Sequence, residues 1–256
     1  MILQLPRLRV IAACGVAACA CASALGAYFG ADCGGGLAFI GCWLLFVSAL
    51  SLHPGRAQWI AAAALSAGRL ELLDEPFLAW HLSGGTSELL YVTPGADGLP
   101  DCTCIGGTTD LAAGQLIDRA GALLGLPFPS GAALDALAVE AQPEKGYRPK
   151  VADCRFSLSG MQNQVESKFK TAEPAQMARF TLETVANAVV KATEQAIKQY
   201  DCPVLCAGGV MASRVLRARM EQIFGKRVSF AEPVLSGDNA VGVAVLAARL
   251  YERDKT

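Results

Sequence analysis

From residue 59 onward, runs that suit strands alternate with runs that suit amphipathic helices, and this alternation restricts the chain to an α/β architecture. FLAWHL and ELLYVT flank Gly84-Gly85 and predict a β-hairpin. TTDLAAGQLIDRAGALLGL predicts a helix: Thr108 or Thr109 can cap it, and Leu111, Ile117, Leu124 and the alanines form an apolar side. LPFPSG then breaks it. Glu173-Pro174 opens a longer helix that runs through Tyr200, with Ala178, Leu182, Val185, Val189, Ala196 and Ile197 on one face. PVLCAGGV predicts a buried strand ending in Gly208-Gly209. ASRVLRARMEQIFG follows as a helix ending at Gly225, and RVSFAEP as a short strand. SGDNAVGVAVLAARLYER is a last helix with Asp238 at its start.

The two glycine pairs admit two explanations. Gly84-Gly85 can supply the positive φ of a tight hairpin turn. Alternatively, its backbone comes close to a ligand, with Ser83, Thr86 and Ser87 offering hydroxyls around the bend. Gly208-Gly209 sits between a strand and a helix start, where free backbone N–H groups and the positive end of a helix dipole suit an anion or a nucleotide edge. Close packing is the plainer reading of that pair. Asp238 at a helix start reads as an N-terminal cap or a ligand, and Asp118 beside Arg119 as a surface ion pair or a site residue.

A formal net charge of −1 gives no overall basic field for nucleic acid. The apolar fraction of 53% has a local source, since Asp32 is the only charged residue from Val10 to Leu52. Cys14, Cys19, Cys21, Cys33 and Cys42 lie in that stretch. No cysteines stand in a C-x-x-C pair, and His53 and His81 are the only histidines, which argues against a Cys/His zinc cage. A domain of this size also needs no disulfide framework. Within residues 10–52, VIAACGVAACACASALGAYFG is long enough to span a bilayer and GLAFIGCWLLFVSALSL is at the short limit. Arg7, Arg9 and Arg56 flank them, so a membrane hairpin would keep both ends cytoplasmic. A signal peptide is the rival, with ASA and LGA as cleavage-like triplets.

HLSGGTSELL, DLAAGQLIDRAGALLGLPFPSG, FSLSG, AGGVMASRVLR and SGDNAVGVAV, in that order, resemble motifs of the bacterial TsaD family, once called glycoprotease-like. The resemblance covers about residues 60 to 250, roughly the C-terminal half or more of a full member. It implies an actin/hexokinase-like ATPase (ASKHA) fold, mostly its second half, over residues 59–256, behind an unmatched apolar segment at 1–58. The implied activity is transfer of a threonylcarbamoyl group from its adenylate to an adenosine of tRNA. The implied ligands are ATP or threonylcarbamoyl-adenylate and a divalent metal, iron or zinc. The implied partners are tRNA and the other proteins of the threonylcarbamoylation system, in the cytoplasm.

By the same resemblance, Ser83, Gly84 and Gly85 match the catalytic hairpin loop that faces phosphates and substrate. Asp118 matches a ribose-binding aspartate and Gly131 a nucleotide-contacting glycine. Gly208 and Gly209 match the adenosine-side turn, and Asp238 a metal-binding aspartate. Departures accompany these matches. Thr86 and Ser87 leave no histidine after the hairpin glycines, and Ser213 stands where the family has an asparagine that reaches the nucleotide. The family's H-x-x-x-H metal pair is replaced by Gly55 and Trp59, with His53 two residues out of register. The resemblance therefore implies a transferase-family protein impaired as written, or a non-catalytic nucleotide-binding paralogue acting through protein contacts, in either case possible to tether at a membrane through residues 10–52. The abrupt end of similarity near Ile60 adds a third reading of the N-terminal segment, a translated frameshift or mis-called start.

Overall fold

The computed structural model describes residues 55–142, 144–232 and 239–253. The apolar runs of residues 10–52, His53 and Asp238 lie outside the described residues. Seven strands among the described residues form one sheet: β1 (Phe77–Leu82), β2 (Ser87–Pro94), β3 (Pro100–Thr108), β4 (Val151–Ala152), β5 (Arg155–Phe156), β6 (Val204–Ala207) and β7 (Val228–Phe230). Their spatial order is β4-β5-β3-β2-β1-β6-β7. The first three strands form an antiparallel meander, and β6 and β7 extend it in parallel on the other side of β1. The helices are α1 (Gly55–Ser66), α2 (Ala113–Leu123), α3 (Gly131–Glu140), α4 (Ser159–Phe169), α5 (Pro174–Tyr200), α6 (Arg214–Phe224) and α7 (Asn239–Arg253).

Strand periodicity splits the core in two. Successive side chains of a strand point to opposite faces. Leu78, Trp80 and Leu82 of β1 therefore join the cluster formed with α2, α5 and α6, while Phe77 and Ala79 join the cluster formed with α1 and α7. Trp80 is fully buried, and its indole N–H donates to Thr193 Oγ1 on α5 at 2.8 Å, so the ring carries no orphan donor into the core. The expected face of α5 is buried through Ala178, Leu182, Val185, Val189 and Ala196. Full burial of each Leu or Val side chain contributes about 1.5–3 kcal/mol. The helix buries more than one face: Thr181, Thr184 and Thr193 are also enclosed, and each hydroxyl donates to the carbonyl one turn back.

On the opposite face, α1 is an alanine-rich helix whose Ala61, Ala62, Ala63 and Ala64 are all buried. Small side chains let α7 come close, and at Gly242 an added Cβ would lie 1.9 Å from the Gln58 carbonyl oxygen. Among the described residues no helix is long and apolar enough to cross a membrane.

Several elements depart from the sequence expectation. Strands β3, β4 and β5 and helices α3 and α4 were not anticipated by periodicity. Helix α2 starts at Ala113 rather than after a threonine cap. Thr108 closes β3, and its hydroxyl donates to the Leu111 carbonyl at 2.9 Å. The first turn of α2 is held instead from a neighbouring strand, because Ala113 N donates to Ser87 Oγ at 2.8 Å, with Gln115 Oε1 accepting from Ala112 N. Ser87 is buried in that role, so it is not a hydroxyl offered to a ligand.

Candidate functional site

The hairpin between β1 and β2 closes over four residues. Ser83 N donates to the Thr86 carbonyl at 2.8 Å, and Thr86 N donates to Ser83 Oγ at 3.1 Å. Neither Gly84 nor Gly85 has a positive φ, and a Cβ built on either would meet nothing within 4 Å. Turn geometry and internal packing therefore do not require this pair, contrary to the turn reading. Space is tight on the other partner. A Cβ on Gly114 of α2 would lie 2.5 Å from Gly84 Cα and 2.6 Å from the Ser83 carbonyl oxygen. Gly114 is what lets the start of α2 reach the hairpin.

Gly84, Gly114, Asp118, Gly131, Gly209 and Ser213 line one cleft of about 550 Å³, with Ile117, Pro129, Leu182 and Val210 among its apolar walls. Five of the expected site residues thus come together from four separate segments. Ser83, Gly85 and Gly208 are not part of the lining. Asp238 lies outside the described residues.

Asp118 is half-buried on α2 and does not pair with Arg119, whose guanidinium donates to Gln162 instead. Its Oδ1 accepts from Ser130 N at 2.8 Å and so ties the loop before α3 to α2. The Ser130 hydroxyl donates to the Pro127 carbonyl, and Gly121 gives the loop room, since its Cβ would lie 2.2 Å from Ser130 Cβ. This places Gly131 at the start of α3, where first-turn amides lack intrahelical partners. The other carboxylate oxygen of Asp118 has no hydrogen-bond partner among the described residues, and Asp118 lines the cleft.

The second glycine pair divides its tasks. Gly208 is buried at φ +102°, and an added Cβ would lie 2.2 Å from the Leu82 carbonyl oxygen. Its close backbone approach is to β1. Gly209 is exposed, with nothing within 4 Å of an added Cβ. A 3₁₀ turn, Gly209–Ala212, separates the pair from α6. The N–H groups of α6 are not free as expected: Leu216 N donates to Ser213 Oγ and Val215 N to Asp135 Oδ1, both at 3.4 Å.

Asp135 was not signalled by the sequence. It is buried in α3, accepts from Ser213 Oγ at 2.6 Å, and pairs with Arg214 Nε at 2.8 Å. Ser213 therefore serves as a cap, its hydroxyl engaged with protein at both donor and acceptor. Among the described residues Arg214 is the one cation of the lining, and Asp135 neutralises it. Two carboxylates, apolar walls and exposed glycine backbone suit the ribose and base of a nucleoside better than a polyphosphate.

Asp110, between β3 and α2, also escaped the sequence reading. Burial alone would push its carboxyl up. Hydrogen bonds from the Ser157 and Ser159 hydroxyls and the Leu111 and Leu158 N–H groups outweigh that and hold it far below the usual carboxylate range. It fastens the start of α4 to the β3–α2 junction.

A family model described as TsaD: tRNA N6-adenosine threonylcarbamoyltransferase matches residues 58–245. The chain belongs to the TsaD family. It is 30% identical over 207 residues to the tRNA N6-adenosine threonylcarbamoyltransferase of Streptococcus suis (strain 05ZYH33), covering 76% of this chain and 60% of that protein. With the Geobacillus thermodenitrificans (strain NG80-2) protein of the same name it shares 35% over 196 residues, covering 70% and 56%. The chain thus spans between half and two thirds of these TsaD relatives. Among solved structures, full-length HypF in a phosphate- and nucleotide-bound form superposes with a TM-score of 0.61 at 17% identity, over 75% of this chain and 42% of that one. HypF of T. kodakarensis gives 0.56 at 13%, over 76% and 37%. These likenesses establish the fold, an ASKHA-type α/β core.

The TsaD-type metal site does not fit the described residues. Both positions expected to carry histidines lie on α1 as Gly55 and Trp59. Trp59 is buried, and its ring packs against His81 with centroids 4.3 Å apart and the planes tilted by 31°. An indole N–H is a donor only and offers a metal no lone pair. Burial depresses the pKa of His81, and nearby Arg56 depresses it further while Glu88 raises it. Among the described residues no three His, Cys, Asp or Glu side chains group as a metal site.

Proposed function

We propose that this chain supplies the nucleoside-binding half of a TsaD-type site. In this reading the cleft takes the adenosine part of ATP or of threonylcarbamoyl-adenylate, and tRNA is the acceptor of the acyl group in the cytoplasm. The observation that carries it is the convergence of Gly84, Asp118, Gly131 and Gly209 on one cleft. The free oxygen of Asp118 would accept from ribose hydroxyls, the open backbone of Gly84 and Gly209 would admit close contact, and Ile117, Pro129 and Val210 would flank the base. Ser83, Gly85 and Asp238 belong to the reading through the TsaD resemblance alone.

Calorimetry with adenosine and an ATP analogue tests it. Asp118→Asn keeps an acceptor for Ser130 N but removes the charge, and should weaken nucleoside binding by about 1–2 kcal/mol, the gap between charged and neutral acceptors. Equal affinity in variant and parent removes Asp118 from the site.

A second reading is favoured by Gly55 and Trp59 at the places of the metal pair, with the Trp59 ring packed against His81. Here the chain binds nucleotide without catalysing transfer and works through protein contacts. Incubating the chain with unmodified tRNA, threonylcarbamoyl-adenylate and the other threonylcarbamoylation proteins separates the two. Under the first reading modified nucleoside appears once the rest of a TsaD-type site and its histidine pair are restored, under the second it does not, and from the chain by itself neither expects any. Turnover would show that the histidine pair is dispensable and would sink the second reading.

A further inference from the structure

A second cleft, of about 450 Å³, is lined by other residues of α5 and α6 together with the loop before β4. Its size falls within the range of about 300–1,000 Å³ usual for ligand sites. Lys145, Arg148, Arg179 and Arg219 line it against two carboxylates, Glu144 and Glu183. Glu144 is already neutralised by Lys168, which is not part of the lining, and Glu183 by Arg179. Lys145, Arg148 and Arg219 have no carboxylate partner among the described residues. The cleft therefore holds a local cation surplus on a chain whose net charge is −1.

Two features distinguish this from a scatter of surface cations. The loop that carries Lys145 and Arg148 is pinned between them. Asn187 Nδ2 donates to the Gly146 and Tyr147 carbonyls at 3.2 and 3.0 Å, and Tyr147 N donates to Thr184 Oγ1 at 2.9 Å. Gly146 sits so close to α5 that a Cβ would lie 2.3 Å from Thr184 N. The second feature is Arg219. Its Nε is buried without a hydrogen-bond partner among the described residues, while Nη1 donates to Gln222 at 3.3 Å. A buried guanidinium N–H left unsatisfied is costly, and the planar fork of Arg matches the oxygens of a phosphate.

We propose that this cleft binds a phosphate-bearing anion, with Arg219 and Arg148 as its principal donors. The phosphate can come from an RNA backbone or from a free polyphosphate, and the experiment tells them apart. Parent, Arg219→Gln, Arg148→Gln and the double variant are titrated with inorganic pyrophosphate by calorimetry and with unmodified tRNA by fluorescence anisotropy across a salt series. The double variant should bind at least about tenfold more weakly in one arm, and that arm names the source. In the tRNA arm the salt dependence should also become shallower, because fewer counterions are released. Arg148 is exposed with no described partner, so its variant keeps the test alive should Arg219→Gln fail to fold. Adenosine binding, which bears no phosphate, is measured alongside. Its loss in the parent would count against the nucleoside reading and leave this one standing. Binding of neither probe by the parent, or equal binding by parent and variants in both arms, overturns the proposal.

Discussion

The two glycine pairs look alike in sequence and are held by different physics. At Gly84-Gly85 both residues are exposed, neither has a positive φ, and both face open space. At Gly208-Gly209 the first residue is buried, left-handed in φ and pressed against the Leu82 carbonyl, and only the second opens to the cleft. The first pair shows no structural need for glycine, and its lack of side chains leaves the hairpin backbone open. Gly208 is required by the fold, because it lets β6 turn away directly beneath the end of β1. A Gly-Gly after a strand is thus not one signal but two, and only the surroundings separate them.

The largest expected effect tests the fold side of that contrast. Gly208→Ala forces an L residue into a φ of +102° and a Cβ into the Leu82 carbonyl. Backbone strain alone should cost about 1–3 kcal/mol, and displacement of β1 adds to it. A denaturant midpoint equal to the parent's would erase the difference between the pairs.

An intermediate effect is expected just beyond the second pair. Ser213→Ala removes the side-chain cap of α6 and the hydroxyl that donates to Asp135, and should cost about 0.5–2 kcal/mol. A larger loss of nucleoside affinity than of stability would instead make Ser213 a ligand contact and sharpen the likeness between the pairs.

The smallest stability effect belongs to the first pair. Gly84→Ala should leave unfolding within about 0.5 kcal/mol of the parent, as for a surface change that meets nothing, while adenosine binding falls because a methyl group enters the cleft. If this variant unfolds as readily as Gly208→Ala, hairpin geometry explains the first pair after all.

Much of the frame was legible from the sequence, because local chemistry dictates it. The alternation of Leu78, Trp80 and Leu82 fixes which face of β1 is buried against α5. Pro174 and the apolar spacing to Ala196 define α5 at its first turn and along its length. Motif order identified the family and brought Gly84, Asp118, Gly131, Gly209 and Ser213 forward as cleft residues. Tertiary structure decided the rest. Asp135 lies 78 residues from Ser213 in the chain, and nothing in GAALDALAVE marks its carboxylate as the cap of a distant helix. Thr108 looks like a cap by spacing, but the first amide of α2 finds Ser87 of the adjacent strand. Short strands such as β4 and β5 carry too few residues for a period of two to declare itself, and pairing along the edge of β3 creates them. Propensity and periodicity act over a few residues and so can be read from the sequence. Which glycine opens to a cleft, and which meets another strand, depends on contacts between segments far apart in the chain, and only the folded packing decides it.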